Sequence, residues 1–411
     1  MSIMNRSSRK FYSKRSFHLH VKKTWFILAL MAILTLWIIL LANQVRVINV
    51  KDYGAAGDGV TDDTKAIQRA LQHAPNHTIY FPPGVYAITE ELPKHSGTEI
   101  EGNDAIIQAS SGLLTILHIK GDNVRVTGLT INGNRSSLRG ITIAEGSHNV
   151  DISDCIIKNF TQPKNQEWSR MTVSGIRIAG DTKNISIDHS AIQNVTARNP
   201  VKGWGHLIAR GILISPLNKQ QAETNNITIS GSSFTNIGPK DDGDGIVVQG
   251  FKNHVQLKII NNTFSANHKR AIKIQSPGVL VKGNTITNNF YKNNFYTTYQ
   301  ETKTYDMWAA ISVYADDTII EQNTITGVGR FARIIDIANA SSIKVIDNVL
   351  KNGYIGTDKL SPIISITSSQ TGQILKNFTI LDNTFINGRY GVLAASKITN
   401  LKVWNNKLLN S

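Results

Sequence analysis

From Asn149 onward, apolar and polar residues alternate in short runs that keep returning. The phrase reads NVDISDCIIKN, NISIDHSAIQN, NITISGSSFTN, GVLVKGNTITNN, DTIIEQNTITG, SIKVIDNVLKN, NFTILDNTFIN and NLKVWNNKLLN. Each copy is an alternating strand, a polar bend, a second short strand and then asparagine or glycine. The openings Asn149, Asn184, Asn226, Asn377 and Asn400 fall in copies roughly 23 to 42 residues long. Strands too short to pair as hairpins, repeated at such a period, predict a solenoid in which each repeat is one coil. Aligned asparagines at the bends predict an internal ladder of side-chain amides running from coil to coil.

A third strand completes most coils: LRGITIA, VSGIRIA, ARGILIS, GDGIVVQ, KRAIKIQ, WAAISVY, RIIDIAN, PIISITS and YGVLAAS. Three strands per turn predict an all-β, right-handed parallel β-helix of roughly ten coils over residues 45–411. Alternation places Ile246 and Val248 in the core and Val247 outside it. Before the first coil, Thr61 or Asp62 is positioned to cap a helix whose Ala66, Ile67, Ala70 and Leu71 form one apolar face. That Thr61–Leu71 helix is expected to plug the open end of the solenoid.

The run DYGAAGDGVTDDTKAIQRAL, followed by YFPPGVY, resembles the amino-terminal signature of the pectate-lyase-like superfamily. The resemblance covers about residues 45–411 and implies the right-handed β-helix. It also implies work on polysaccharides, by hydrolysis, elimination, epimerisation or binding alone, since function resides in sites grafted on the fold.

Upstream, residues 24–42 form an apolar segment, and Trp25 to Ala42 contains no charge. As a helix that stretch is about 27 Å long, the hydrocarbon thickness of a bilayer. Residues 1–23 carry seven basic residues and no acid. A single-pass signal anchor is expected, with a cytoplasmic tail and an extracytoplasmic carboxy-terminal domain; a cleaved leader and a secreted domain is the alternative. Of the net charge of +15, seven positive charges lie in that tail; the remaining +8 is spread along the rest of the chain without a block that would track nucleic acid, so an acidic polysaccharide is the expected partner. Cys155 is the single cysteine and reads as a buried core thiol.

Aligning the third strands by their Gly-Ile step stacks Arg139, Ser174, Arg210, Asp244 and Arg270 in one column. Thr142, Arg177, Leu213, Val247 and Lys273 form another. Asp242 and Asp244 are the candidate catalytic carboxylates, with Lys273 and Arg270 beside them. Arg210 and Arg177 are expected to hold substrate. Asp241, Asp242 and Asp244 together form an oxygen-donor set of the kind that holds calcium. Insertions 160–172, 195–208 and 289–307 border this face with Trp168, Trp204, His206 and Trp308, aromatic and polar groups suited to a sugar groove. In glycoside hydrolases of the superfamily an Asp-Gly strand is followed by an Asp-Asp pair, Gly-His-Gly and Arg-Ile-Lys. Asp244 and Lys273 match the first and last of these, but the coil that should supply the second acidic pair reads KRAIKI. Hydrolase and lyase therefore both stand, with a uronate C5-epimerase or a non-catalytic polysaccharide-binding or exopolysaccharide-assembly module as alternatives.

Overall fold

The computed structural model describes residues 25, 26, 28–35, 37, 46–73, 77–94, 96–164, 167–218, 223–239, 241–288, 295–297, 303–305, 309–327, 333–352 and 362–410. Contacts divide the chain into Met1–Arg46 and Val47–Ser411. In the first unit residues 25, 26, 28–35 and 37 are helical with exposed side chains. The rest of the apolar segment and the basic tail lie outside the described residues. Among the described residues no helix is long and apolar enough to cross a membrane.

The second unit is a parallel β-helix. Its third strands form one eleven-stranded sheet, from Leu92–Lys94 to Tyr390–Ala394, and the two strands of each repeated phrase join a second sheet. The strands that matter for function are β1 (Arg139–Ile143), β2 (Val173–Ile178), β3 (Ile208–Ile214), β4 (Asp242–Gln249), β5 (Arg270–Gln275), β6 (Ile311–Val313) and β7 (Ile335–Ala338). Among the described residues the one antiparallel strand pair is Phe295–Thr297 with Lys303–Tyr305.

Registry is strict. Ile141, Ile176, Ile212, Ile246, Ile272, Ile311, Ile335 and Ile364 stack one above another, all fully buried. Each such side chain contributes about 1.5–3 kcal/mol of burial. The glycine before the isoleucine also faces inward: a Cβ on Gly245 would lie 3.0 Å from the Phe264 ring, and one on Gly211 2.4 Å from the Gly245 carbonyl. With Gly245 and Ile246 both facing inward, the residues on either side, Asp244 and Val247, lie outside the apolar core. Val247 is buried there too, yet it is not part of the contiguous apolar core that holds Ile246 and Val248.

The internal amide ladder exists, and the asparagines at the polar bends build it. Asn262, Asn284, Asn323, Asn348 and Asn383 are buried, and each donates its backbone and side-chain N–H to the next asparagine's Oδ1, ending at Asn406. Earlier coils continue the column with smaller groups: Cys155 N donates to Ser190 Oγ, Ser190 N to Ser232 Oγ, and Ser232 N to Asn262 Oδ1. Cys155 is buried as expected, and burial pushes its thiol up to about 12. Asn149, Asn184 and Asn226 instead form an exposed ladder with Asn123. They adopt the left-handed backbone with φ near +55°, a conformation asparagine tolerates better than most residues.

The helix α1 runs Thr64–Gln72, not from Thr61, and buries Ala66, Ile67, Ala70 and Leu71 in the core. It starts late because Asp58–Asp62 is a strand. The Asp62 carboxylate accepts from Thr64 N, while Asp63 folds back onto the N–H groups of Ala56 and Gly57.

The amide column yields a stability prediction. Asn323→Ala removes the acceptor of two Asn284 N–H groups, at about 1–3 kcal/mol for each orphaned buried group. Asn323→Ser keeps an acceptor for the backbone N–H, as Ser232 does, and costs less. Urea unfolding of the two variants measures the order; equal loss in both removes the ladder from the stabilising interactions.

Candidate functional site

The predicted columns are the observed ones. Arg139, Ser174, Arg210, Asp244 and Arg270 are cross-strand partners along β1 to β5, as are Thr142, Arg177, Leu213, Val247 and Lys273. Neighbouring coils lie about 4.8 Å apart, so charges in one column meet directly.

At the centre Asp244 is fully buried on the outer face. Arg210 Nη1 lies 3.1 Å from its Oδ2, without the alignment of a hydrogen bond, and Arg270 Nη1 donates to its Oδ1 at 3.2 Å. Asp242, half-buried, takes Arg210 Nη2 at 2.7 Å on Oδ2 and Arg270 Nη1 at 3.3 Å on Oδ1. Arg210 also donates to the Ala209 and Asp242 carbonyls, and Arg270 Nε to Ser312 Oγ at 3.0 Å. Two arginines thus clamp two carboxylates from the coils before and after. Burial alone would push Asp242 up, but Arg210, Lys273 and Arg270 outweigh it and hold the carboxyl well below the ordinary aspartate range.

Lys273 is half-buried, and among the described residues no carboxylate lies within ion-pairing distance of its Nζ. Burial lowers its pKa; Asp244 and Asp242 pull it back up, and Arg210 and Arg270 push it down again, with a net depression. Lys269, one coil from the acids, is lowered by burial as well. Beyond Lys273 the same column continues through Ser312, Asp336 and Ser365. Tyr314 donates its hydroxyl to Asp336 Oδ2 at 3.1 Å, and Arg333 pairs with Oδ1 at 2.9 Å. Burial keeps the Tyr314 phenol protonated. This polar extension was available in WAAISVYAD and RIIDIAN, which carry the same register.

The three aspartates do not form one donor set. Asp241 turns away: its Oδ2 accepts from Leu207 N at 2.8 Å, and its Oδ1 lies 3.5 Å from His206 Nδ1. Asp242 and Asp244 are taken up by arginine. Among the described residues no three His, Cys, Asp or Glu side chains are grouped to hold a metal, so the expected calcium set is corrected to an ion-pair cluster.

The bordering loops differ among themselves. Gln162 stitches the first two together, donating to the Met171 and Asn199 carbonyls and accepting from Arg198 N. Trp168 is half-buried against the apolar core and anchors its loop. Trp204 is exposed at a loop tip and His206 is half-exposed above Asp241. Trp308 lies outside the described residues. Arg177 is buried, with one 3.4 Å contact to the Ser215 carbonyl.

Comparison with known proteins places this architecture. A family model described as rhamnogalacturonase A/epimerase, pectate lyase-like matches residues 47–295, and one for a right-handed beta helix region matches 219–408. The plasmin and fibronectin-binding protein A of Streptococcus pneumoniae is 23% identical over 88% of this chain and 57% of its own length. Alginate lyase 7 of Azotobacter vinelandii is 31% identical over 37% of this chain and 19% of its own. The chain therefore spans little more than half of the first relative and a small part of the second. The crystal structure of PfbA, a surface adhesin of Streptococcus pneumoniae, superposes with a TM-score of 0.60 at 19% identity, covering 88% of this chain and 90% of that one. At that identity the likeness shows the fold.

The clamp predicts how the site bears on stability. Asp244→Ala removes the fully buried carboxylate from between two buried guanidinium groups, leaving Asp242 alone to pair with both, and costs about 3–5 kcal/mol. Asp242 has a folded pKa below its unfolded one, so its stabilisation is present above the ordinary value of 3.8 and fades as pH falls towards the folded value. Unfolding midpoints of wild type and Asp242→Asn should therefore differ at neutral pH and converge on acidification; a gap constant with pH would contradict the ion-pair assignment.

Proposed function

The chain belongs to the rhamnogalacturonase A/epimerase, pectate lyase-like family, and on that footing we propose that it acts on an acidic polysaccharide by abstracting the C5 proton of a uronate, with Lys273 as the base. This step is shared by elimination and C5-epimerisation. The observation that carries it is Lys273 itself: a half-buried amine with lowered pKa, no ion-pair partner among the described residues, and a clamped pair of carboxylates beside it. A general base needs a pKa drawn towards the working pH, and burial among other cations supplies that.

Hydrolysis is the weaker reading. It requires one carboxyl group protonated as acid. Asp242 is held ionised and Asp244 has no exposed surface. In elimination Lys273 takes the C5 proton, the C4–O bond breaks to leave a C4=C5 double bond, and the departing oxygen takes a proton. Tyr314, one coil further and kept protonated, is the donor we assign. Arg139, Arg177, Arg210, Lys269, Arg270 and Lys273 outnumber Asp241, Asp242 and Asp244 on this face, which favours a polyanion. Trp204 and His206 then flank the groove. An amino-terminal anchor with the β-helix outside the cytoplasm suits such a substrate and belongs to the same proposal.

Binding without turnover is the second reading, and the complete burial of Asp244 favours it, because a clamped carboxylate serves structure alone. One experiment separates the two: Lys273→Gln is compared with wild type on a panel of polyuronates, following the ultraviolet absorbance of unsaturated uronate and C5 inversion by proton NMR. Loss of about 10²–10⁴ in kcat with binding retained is expected for a general base. The rising limb of the wild-type pH–rate profile should lie below the ordinary lysine value of 10.5 and move lower still in Asp242→Asn, which removes a group that raises Lys273. Binding with no turnover on any polymer would sink the enzymatic reading.

A further inference from the structure

Two coils on the amino-terminal side of the clamp, the same face holds cations with no acid to answer them. Arg177 is 8% exposed, its Nε has no hydrogen-bond acceptor, and the 3.4 Å contact to the Ser215 carbonyl is its single polar contact among the described residues. The side chain of Arg139, half-buried on the preceding coil, makes no hydrogen bond or ion pair among the described residues, and its Nε is orphaned too. Ser174, the cross-strand partner of Arg139, is 1% exposed with an unsatisfied Oγ. The indole N–H of Trp168, on the loop that feeds β2, is likewise buried without an acceptor.

Buried polar atoms are nearly always satisfied, and a buried charge left unpaired is costly. The guanidinium groups report that cost: burial pulls Arg139 down to about 10, and burial with the repulsion of Arg139 pulls Arg177 to the same value. Arg210 and Arg270, in the same column as Arg139, are clamped by aspartates. The orphan atoms here are all able to donate, and what they lack is an anionic acceptor.

We propose that Arg139, Ser174 and Arg177 form a distal subsite that binds one carboxylate of an acidic polymer whose reacting residue lies at Lys273. Arg139, the more exposed of the two cations, gives the approach, and Arg177 lies beneath as the second donor. The polymer class rests on the reading above; the anion site does not. Arg177 and Lys273 share a column three coil steps apart, about 14 Å at the inter-coil spacing. One coil step is close to the length of a sugar ring in an extended chain. A polymer lying along the solenoid must therefore run about four residues to fill both points, and the site measures chain length as well as charge.

The test has a sugar arm and a sugar-independent arm. In the Lys273→Met background, which removes turnover, oligouronates from disaccharide to hexasaccharide are titrated calorimetrically. Affinity should rise about tenfold on reaching the length that spans both points, the worth of a charge-assisted pair. Arg139→Gln and Arg177→Gln should each abolish the rise, and Arg177→Lys should restore part of it. A rise that persists in both glutamine variants overturns the proposal. Thermal unfolding with and without sodium sulfate forms the second arm. Sulfate should raise the wild-type midpoint and leave that of Arg177→Met unmoved, and without sulfate Arg177→Met should unfold at or above the wild-type temperature. A midpoint that falls in Arg177→Met without anion, or no sulfate effect on wild type, makes the arginine a packing group and overturns the proposal. Sulfate protection with no uronate binding keeps the anion site and removes the uronate reading alone.

Discussion

Backbone hydrogen bonds between coils place each residue of one turn directly over its counterpart in the next, and the step is only about 4.8 Å. Every strand position, inward or outward, is therefore a column, and every column must be chemically self-consistent. Isoleucine over isoleucine satisfies that rule by packing, as do the stacked rings of Phe234 and Phe264, 4.7 Å apart. Asparagine over asparagine satisfies it by hydrogen bonding, because an amide is donor and acceptor at once. Charge over like charge does not. Where the chain brings Arg210 and Arg270 into one column, the coil between them carries Asp244, and that alternation of basic and acidic groups is what lets the three side chains share a buried strip.

That constraint limits what the carboxylates can do. A buried aspartate between two guanidinium groups is held in place by them, so it supports its neighbours better than it reaches a substrate. The clamp fixes Arg210 and Arg270 against rotation and leaves Lys273, in the adjoining column, as the group with spare valence. Reactivity in such a site passes from the acids that attract attention to the amine they bias, since Asp242 and Asp244 raise the lysine's pKa while burial and the arginines lower it. The balance of those effects, not any single contact, sets the proton affinity of the face.

The legible and illegible parts of the chain divide along the same physical line. Within strands, counting residues is enough: the small residue-Ile step (Gly-Ile, or Ala-Ile in KRAIKIQ) set the phase of the strands around the site, and the pairing of Arg210 with Asp244 and of Val247 with Lys273 followed by arithmetic. Outside strands counting fails, because a turn sets direction through its own dihedral angles. Asp241 sits one residue before β4 and turns to Leu207 instead of joining Asp242, so three adjacent acids were misread as one donor set. The helix start was misplaced for the same reason, since Asp62 belongs to a strand that apolar periodicity does not reveal. The asparagine ladders show a subtler loss: spacing located the columns, but whether a column lies inside or outside depends on which asparagine takes the left-handed turn. Trp168 could be placed on a loop from its neighbours, yet its packing on the core depends on how far that loop folds back.

A basic net charge is weak information about partners, because solvated lysines explain it equally well. The local pattern of satisfaction says more. Along the outer face of β1 to β7 the carboxylates are answered: Asp241 by a backbone N–H, Asp242 and Asp244 by the arginine clamp, Asp336 by Arg333 and Tyr314. The cations are answered only in part: among the described residues Arg139 and Arg177 at one end of the face have no carboxylate partner, and neither does Lys273 beside the clamp. A fold built for stability alone gains nothing from that arrangement, since an apolar side chain in place of a buried, unpaired arginine is neutral or better. The imbalance acquires a physical reason once a negatively charged chain lies along the solenoid axis, crossing the coils at the spacing the backbone imposes. On this argument the regularity that stabilises the fold is also the ruler against which its ligand is read.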